Sequence, residues 1–216
     1  MTDLTPLARP SAVIFDFGGV LTTSVLDAFG DFGERICGDR GLPMRLFRTD
    51  EVTKRLLAAH EEGRLDQQGF EEGFAARLRE HGAEIGANGL LRDLQSGCRR
   101  DDASIELLAQ LRAAGVSVGL ISNSLGDCYD GYDLDAMFDA VTISGQEGVR
   151  KPSRRLYQIG CERLGVPPGE VVMIDDLEHN IVAAERLGMT GIVHRSARET
   201  ARALQSILGI TLAAAQ

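Results

Sequence analysis

The sequence predicts an α/β protein: a doubly wound, open parallel sheet of the Rossmann-like kind, with an all-helical segment inserted into it. In residues 100–210, short apolar segments alternate with segments of helical periodicity, which is typical of a parallel sheet covered by helices on both faces. Residues 24–98 contain no strand pattern and follow the first strand. We therefore assign residues 1–22 and 99–216 to an α/β core and residues 23–98 to an inserted helical segment.

The first strand is predicted at residues 12–16, a short apolar run that ends at an aspartate and continues into a glycine turn. After it, residues 24–98 carry apolar side chains at helical spacing. Asp66 has the features of a helix N-cap. Glycines at 82, 86 and 89 interrupt the helical pattern.

The remaining elements follow from apolar runs and from glycines that end helices. In chain order they are helix 102–114 ending at Gly115, strand 116–121, strand 140–143, helix 153–164 ending at Gly165, strand 171–174, helix 178–187 ending at Gly188, strand 191–193 and helix 197–208. The alanine-rich segment 213–216 is expected to fray.

The charge balance limits the classes of partner. The 216 residues carry a formal net charge of −9, which argues against nonspecific binding to nucleic acid or to an anionic membrane. No apolar run approaches the ~20 residues of a membrane span, and residues 1–10 show no signal-peptide pattern. The four cysteines form no Cys-x-x-Cys pair. We expect a cytoplasmic protein with reduced thiols, and leave its oligomeric state open.

Polar side chains stand where three of the predicted strands end, and a lysine precedes a helix. They are Asp16, Ser122, Asn123, Asp175, Asp176 and Lys151. Because ligands bind at the carboxyl ends of the strands in an open parallel sheet, we expect these groups to share one site. Clustered carboxylates repel one another unless a cation lies between them, and Mg²⁺ prefers such oxygen ligands together with substrate phosphate. The hydroxyl, amide and ammonium groups supply donors for phosphoryl oxygens.

Four segments in this order resemble the motifs of the haloacid dehalogenase-like hydrolase superfamily. They are Val13-Ile14-Phe15-Asp16-Phe17-Gly18-Gly19-Val20-Leu21, Gly119-Leu120-Ile121-Ser122-Asn123, Gly148-Val149-Arg150-Lys151-Pro152 and Val172-Met173-Ile174-Asp175-Asp176. The resemblance covers residues 10–22 and 100–210. The helical insertion matches the family's cap only in its position and helical character.

The resemblance implies a Mg²⁺-dependent phosphatase acting on a small phosphorylated metabolite. Asp16 is then the nucleophile that forms an aspartyl-phosphate. The metal site is implied at Asp16, Asp175, Asp176 and the backbone carbonyl of Gly18, and Ser122 and Lys151 hold the transferring phosphoryl group.

Position 18 departs from the family pattern, in which an aspartate often stands there and its side chain protonates the leaving group. Glycine keeps the backbone carbonyl but has no acid, and general acid catalysis is worth about 10²–10⁴-fold. We therefore expect either faster turnover of good leaving groups, such as aryl or acyl phosphates, or a proton donor elsewhere. Asp175, His179, a cap residue and a metal-bound water are the candidates.

Two other functions remain open at this level. A 2-haloacid dehalogenase needs no proton for its leaving halide, so Gly18 suits it, but Asp175 and Asp176 would repel a carboxylate substrate. A noncatalytic interaction protein on a degenerate phosphatase core is the other alternative, favoured by the missing acid and opposed by the otherwise complete set of site residues.

Overall fold

The computed structural model describes residues 9–213, and its sheet confirms the predicted fold class. Five parallel strands lie in the order β3-β2-β1-β4-β5. The strands are β1 (Ala12–Phe15), β2 (Ser117–Ser122), β3 (Ala140–Ile143), β4 (Val171–Asp175) and β5 (Thr190–Val193). The fraying predicted for 213–216 lies outside the described residues except at Ala213, whose backbone N–H donates to Gln110 Oε1 at 2.7 Å.

Helices surround the sheet, and six of them, α1 to α6, lie between β1 and β2 in the chain. In chain order the helices are α1 (Val25–Cys37), α2 (Leu42–Thr49), α3 (Glu51–Glu61), α4 (Gln67–Glu80), α5 (Leu90–Gln95), α6 (Asp102–Ala113), α7 (Leu134–Met137), α8 (Ser144–Glu147), α9 (Arg154–Leu164), α10 (Glu178–Glu185) and α11 (Ala197–Leu208). Among these described helices, none is long and apolar enough to cross a membrane.

The central position of β1 decides where the site forms. All four of its residues are buried, as expected for a strand covered on both faces. It pairs with β2 on one side and with β4 on the other. The residues at the carboxyl ends of these three strands therefore meet at one edge of the sheet.

The two faces of the sheet bury separate apolar clusters. Val13 and Phe15 of β1 pack with leucines of α6 and α11 on one face. Ala12 and Ile14 face the other way and pack with side chains of α9 and α10. This alternation follows from the two-residue period of a strand.

Helices α1 to α5 share a third apolar cluster of their own. Phe32, Phe70, Phe74 and Leu78 are fully buried in it. Asp66 caps α4 as predicted, accepting a hydrogen bond from the Gly69 backbone N–H at 2.9 Å. The segment around the predicted glycine breaks, residues 81–89, is non-helical.

The chain enters and leaves this helical segment through two paired stretches. Thr22 and Arg100 form an antiparallel bridge. Thr23 N–H donates to Arg99 O at 2.7 Å, and Asp101 N–H donates to Leu21 O at 2.9 Å. These bonds tie the two connections to each other beside the first strand.

Several boundaries differ from the predicted ones. β2 and β4 each extend one residue further, so that Ser122 and Asp175 are the last residues of their strands, because they still pair with Ile143 and Val193. The four-residue helices α7 and α8 were not predicted, since such short segments show no helical periodicity. Helices α6 and α10 end at Ala113 and Glu185, one and two residues earlier than predicted.

The loop after α3 approaches the sheet region so closely that it requires a glycine. Gly63 has φ +68°, and a Cβ there would lie 2.4 Å from the backbone oxygen of Gly145 in α8. Gly38 has nearly the same φ, +70°, with nothing within 4 Å of its Cβ position. The two glycines therefore share a backbone requirement and differ in the space around them.

We predict that Gly63→Ala lowers the free energy of unfolding by about 1–3 kcal/mol more than Gly38→Ala does. Both variants place alanine at a positive φ, which costs roughly 1–2 kcal/mol, and only Gly63→Ala adds steric overlap. Urea denaturation of the two variants measures the difference. Equal losses would show that α3 and α8 do not approach as closely as the structure has them.

Candidate active site

The buried ammonium of Lys151 holds two of the predicted carboxylates. Its Nζ lies 2.6 Å from Asp16 Oδ1 and 2.7 Å from Asp175 Oδ2, and all three residues are buried. Lys151 stands on the loop between α8 and α9, and Asp16 directly follows β1. The structure thus brings together residues 24 to 159 positions apart in the sequence.

Asp175 is completely buried, and several donors satisfy its carboxylate. Besides Lys151, the Asn180 amide donates to both carboxylate oxygens at 3.0 and 3.1 Å, and the Leu177 backbone N–H donates to Oδ1 at 2.9 Å. These bonds explain how a carboxylate persists without access to water. They also occupy Asp175, which makes it a poor choice for the missing proton donor.

Three carboxylates share the single ammonium group. Ligand atoms of Asp16, Asp175 and Asp176 all lie within 4.8 Å of one another. Burial raises the pKa of Asp16 to about 7, with Lys151 opposing and Asp175 and Asp176 adding to the shift. Burial and the Asp175 charge raise the pKa of Asp176 to about 6. Burial alone would lower the pKa of Lys151, but Asp16 and Asp175 raise it above its ordinary value.

The donor set fits a hard divalent cation. Three carboxylate oxygens close together are the ligands that Mg²⁺ prefers. The raised pKa values of Asp16 and Asp176 come mainly from burial, with a further contribution from neighbouring carboxylates, and a cation bound there would favour the charged forms. Asp16, Asp175 and Asp176 would hold the ion. The predicted contribution of the Gly18 carbonyl stays a prediction.

The residues predicted to bind phosphate lie next to this cluster. Ser122 is buried, and its Oγ accepts a hydrogen bond from the Tyr129 hydroxyl at 2.8 Å. Asn123 holds the backbone of Lys151 from both sides: Lys151 N–H donates to Asn123 Oδ1 at 2.7 Å, and Asn123 Nδ2 donates to Lys151 O at 3.2 Å. Asn123 therefore positions Lys151, and direct contact of its amide with phosphate stays a prediction.

The two glycines after Asp16 differ in how strictly the structure requires glycine. Gly19 has φ +74°, and a Cβ there would lie 2.6 Å from Asp176 Oδ2, so only glycine lets the turn pass the carboxylate. Gly18 has no such φ. A Cβ at Gly18 would lie 3.2 Å from Val25 Cγ2, so a side chain there requires only a small adjustment of Val25.

A cavity of about 740 Å³ opens above the carboxylates. Asp16, Gly18, Lys151 and Asp176 line it from the strand ends, and side chains of α1 to α3 line it from the opposite side. His179, one of the predicted donor candidates, is exposed and is not among the lining residues.

Glu61 is the functional candidate that the sequence did not reveal. It ends α3, is buried and lines the cavity. Its Oε2 lies 2.9 Å from Arg150 Nε and 3.5 Å from Asn123 Nδ2. Burial raises the pKa of Glu61 to about 7, Arg150 and Lys151 oppose the shift, and Glu62 adds to it. A glutamate at a helix end gives no local signal for this placement, because its surroundings come from β2 and the loop before α9.

Comparisons with known proteins give a family and a fold. A family model described as haloacid dehalogenase-like hydrolase matches residues 10–188. Sesquiterpene phosphatase astK of Aspergillus oryzae is 27% identical over 92% of this chain and 96% of its own length. (S)-2-haloacid dehalogenase 4A of Burkholderia cepacia is 30% identical, but over only 40% of this chain and 39% of its own length.

A solved structure has the same fold. The enzyme bt-2542 of Bacteroides thetaiotaomicron, in complex with magnesium and inorganic phosphate, superposes with a TM-score of 0.62 at 20% identity. The likeness covers 86% of this chain and 94% of that one.

We predict that the protein without metal loses stability as the pH rises from about 4 to about 7. The pKa values of Asp16, Glu61 and Asp176 are raised in the folded state. Their contribution to the free energy of unfolding is therefore complete below the ordinary carboxyl pKa and is lost as the pH rises through the raised values. Thermal unfolding in EDTA at about pH 5 and pH 8 measures this decline.

We predict further that Mg²⁺ at ~100 times its Kd stabilises the protein by about 2.7 kcal/mol at pH 8, because it binds the folded carboxylate cluster. Asp176→Asn should both lessen the pH-dependent decline and remove the Mg²⁺ effect, whereas Asp102→Asn, an exposed site away from the cluster, should change neither. A wild-type melting temperature that Mg²⁺ leaves unchanged would contradict the metal site.

Proposed function

The chain belongs to the haloacid dehalogenase-like hydrolase family, and we propose that it is a Mg²⁺-dependent phosphatase that hydrolyses a small phosphorylated substrate through an aspartyl-phosphate on Asp16. One observation carries this proposal: Asp16 lies at the end of the central strand with Lys151, Asp175 and Asp176 around it. A nucleophile, a phosphate-binding cation and a metal-ligand cluster thus meet in one cavity.

The chemistry begins at the Asp16 carboxylate. One of its oxygens attacks phosphorus, the bond from phosphorus to the leaving-group oxygen breaks, and an aspartyl-phosphate forms. Water then attacks the phosphorus and gives one proton to the group that protonated the leaving group. The bond from phosphorus to the Asp16 oxygen breaks, which releases inorganic phosphate and restores the carboxylate. Lys151 and Ser122 hold phosphoryl oxygens through these steps. Mg²⁺, when bound by the carboxylates, offsets their negative charge and that of the phosphate.

The proton for the leaving group needs a donor, because Gly18 has none. We propose that Glu61 supplies it. Its carboxyl group lines the same cavity as Asp16. Its Oε2 lies 3.5 Å from the amide nitrogen of Asn123, whose amide oxygen accepts a hydrogen bond from the Lys151 backbone N–H. The raised pKa of Glu61, about 7, supports this role because it allows a protonated carboxyl near neutral pH.

We also propose that residues 23–98 act as a cap that covers the site. Their separate apolar cluster supports this division, as do the paired connections at Thr22 and Arg100. Caps of this kind close over an active site to exclude water. The contact of Glu61 Oε2 with Arg150 Nε, at 2.9 Å, joins this segment to the core beside the cavity, and a protonated Glu61 can keep it because Oε2 still accepts a hydrogen bond.

The dehalogenase alternative fits the cavity less well. Asp175 and Asp176 stand beside the nucleophile, and without a cation they oppose the entry of a carboxylate substrate. Gly18 does not decide between the two activities once Glu61 is taken as the proton donor.

We predict that p-nitrophenyl phosphate is hydrolysed in the presence of Mg²⁺ and not in EDTA, and that Asp16→Asn abolishes the activity because it removes the nucleophile. Phosphate release is the measurement, and Asp102→Asn serves as the control. Chloride release from 2-chloropropionate without metal would establish the dehalogenase instead. Neither activity would favour the noncatalytic alternative.

We predict that Glu61→Gln slows the hydrolysis of alkyl phosphates by about 100-fold or more and changes that of acetyl phosphate much less, because only the alkoxide needs protonation. Adding Gly18→Asp to Glu61→Gln should restore part of the alkyl rate. Gly18→Ala, which places the same Cβ atom 3.2 Å from Val25 Cγ2 but carries no acid, is the matched control. Equal slowing of both substrates would give Glu61 a structural role only.

A further inference from the structure

The cavity has two chemically different sides. The side formed by the strand ends carries charged and polar groups, among them Asp16 and Lys151. The helical segment also contributes polar lining groups, Glu61, Gln67, Gln95 and Ser96, but six of its lining side chains, from α1, α2 and α3, are apolar: Val25, Leu26, Phe29, Met44, Phe47 and Leu57. We call this set the apolar wall.

Resting on the proposed phosphatase function, we propose that the substrate is a phosphate monoester of an apolar alcohol, with its hydrocarbon part against the apolar wall. None of the six side chains can donate or accept a hydrogen bond through nitrogen or oxygen. A sugar or other polyhydroxylated alcohol would lose its bonds to water there without replacement. A hydrocarbon chain would lose nothing of this kind.

The exposure of the apolar side chains supports the same conclusion. Within residues 9–213, four large apolar side chains are exposed: Leu26, Val52, Leu177 and Val182. Leu26 and Leu177, at 41% and 36% exposure, both line this cavity. Two of the four thus lie where a hydrocarbon ligand would cover them, which is how apolar surface in a binding site becomes buried.

Apart from the strand-end groups and the buried Glu61, four further charged residues line the cavity at its solvent side. Arg92, Arg100, Asp127 and Asp130 are lining residues and all are exposed. They form a polar rim, whereas Phe29 is buried and Met44, Phe47 and Leu57 are partly buried. Largely apolar linings with a few placed polar groups are usual for sites that bind small molecules.

Position 18 is consistent with this wall. Gly18 lines the cavity beside Asp16, and the nearest atom to its Cβ position is Val25 Cγ2 at 3.2 Å. The wall therefore continues without a charged group almost to the nucleophile. The volume of about 740 Å³ falls in the range of roughly 300–1,000 Å³ typical of sites for drug-sized ligands, which leaves room for an alcohol much larger than the phosphate.

A series of straight-chain alkyl phosphates, from ethyl to octyl, tests the proposal. We expect kcat/KM to rise about two- to fourfold for each added methylene until the cavity is filled, with glycerol phosphate among the slowest substrates. Acetyl phosphate, which has no hydrocarbon tail, reports on the chemistry at Asp16 in parallel. A flat or falling series alongside turnover of acetyl phosphate would overturn the apolar-substrate proposal and leave the phosphatase intact.

If no phosphate ester is hydrolysed, the proposed function fails. A binding experiment then tests separately whether the apolar wall binds a hydrocarbon chain. Calorimetric titration of the Asp16→Asn protein with octyl- and ethylphosphonate compares the two ligands without turnover. Tighter binding of the octyl compound by about 10-fold or more supports the wall. Equal affinities contradict it.

Matched variants localise the effect. Leu26→Gln should lower the ratio of octyl phosphate to acetyl phosphate kcat/KM by about three- to tenfold. Val52→Gln is the control, because Val52 is exposed to a similar degree, 47%, but does not line the cavity. A ratio that both variants lower equally, or that neither lowers, would show that the hydrocarbon does not lie on the apolar wall.

Discussion

The ammonium of Lys151 between Asp16 and Asp175 is the interaction on which the site depends. A carboxylate as buried as Asp175 is stable only with compensating charge and hydrogen bonds, and Lys151 provides the charge for both acids. The surrounding contacts serve this arrangement. Asn123 holds the backbone of Lys151, and Asn180 satisfies Asp175. Loss of the lysine would leave three carboxylates together without an intrinsic counter-charge.

Much of this arrangement follows from sequence because a parallel sheet aligns the ends of its strands. Asp16, Ser122 and Asp175 each end or directly follow an apolar run, so the convergence of three distant segments was predictable from the fold class alone. Lys151 follows no strand, and only its place among four ordered motifs singled it out. The strand ends themselves shifted by one residue, since pairing with β3 and β5 extends β2 and β4 beyond their apolar runs.

The sequence did not predict that Glu61 and Tyr129 would lie at the site. It also did not predict that Asn123 would bind the backbone of Lys151. Glu61 meets Arg150 across 89 positions of chain, and only the packing of α3 against the core creates the burial that raises its pKa. Tyr129 supports Ser122 from an irregular segment without periodicity. Of the apolar wall, Leu26, Phe29 and Leu57 belong to the predicted helical periodicity, but periodicity does not separate side chains that fill a core from those that line a cavity.

These contacts indicate what glycine at position 18 changes at the site. Glycine places no acid in the turn beside Asp16, the proposed nucleophile, and it leaves an uncharged surface that continues into the apolar wall. A donor on the helical side, Glu61, would keep proton transfer while the wall next to Asp16 stays free of charge. The cluster of Asp16, Asp175 and Asp176 does not involve a side chain at position 18, and metal binding by the Gly18 carbonyl stays a prediction.

The central claim is that Asp16 is phosphorylated during turnover. Its most direct test is acid quenching of the protein during hydrolysis of acetyl phosphate with Mg²⁺, followed by borohydride reduction and peptide mass spectrometry. Reduction of an aspartyl-phosphate converts that residue to homoserine. The account predicts homoserine at position 16 in the wild-type protein and no modification in Asp16→Asn. Phosphate release with Asp16 unmodified, or with the phosphoryl group on another residue, would contradict it.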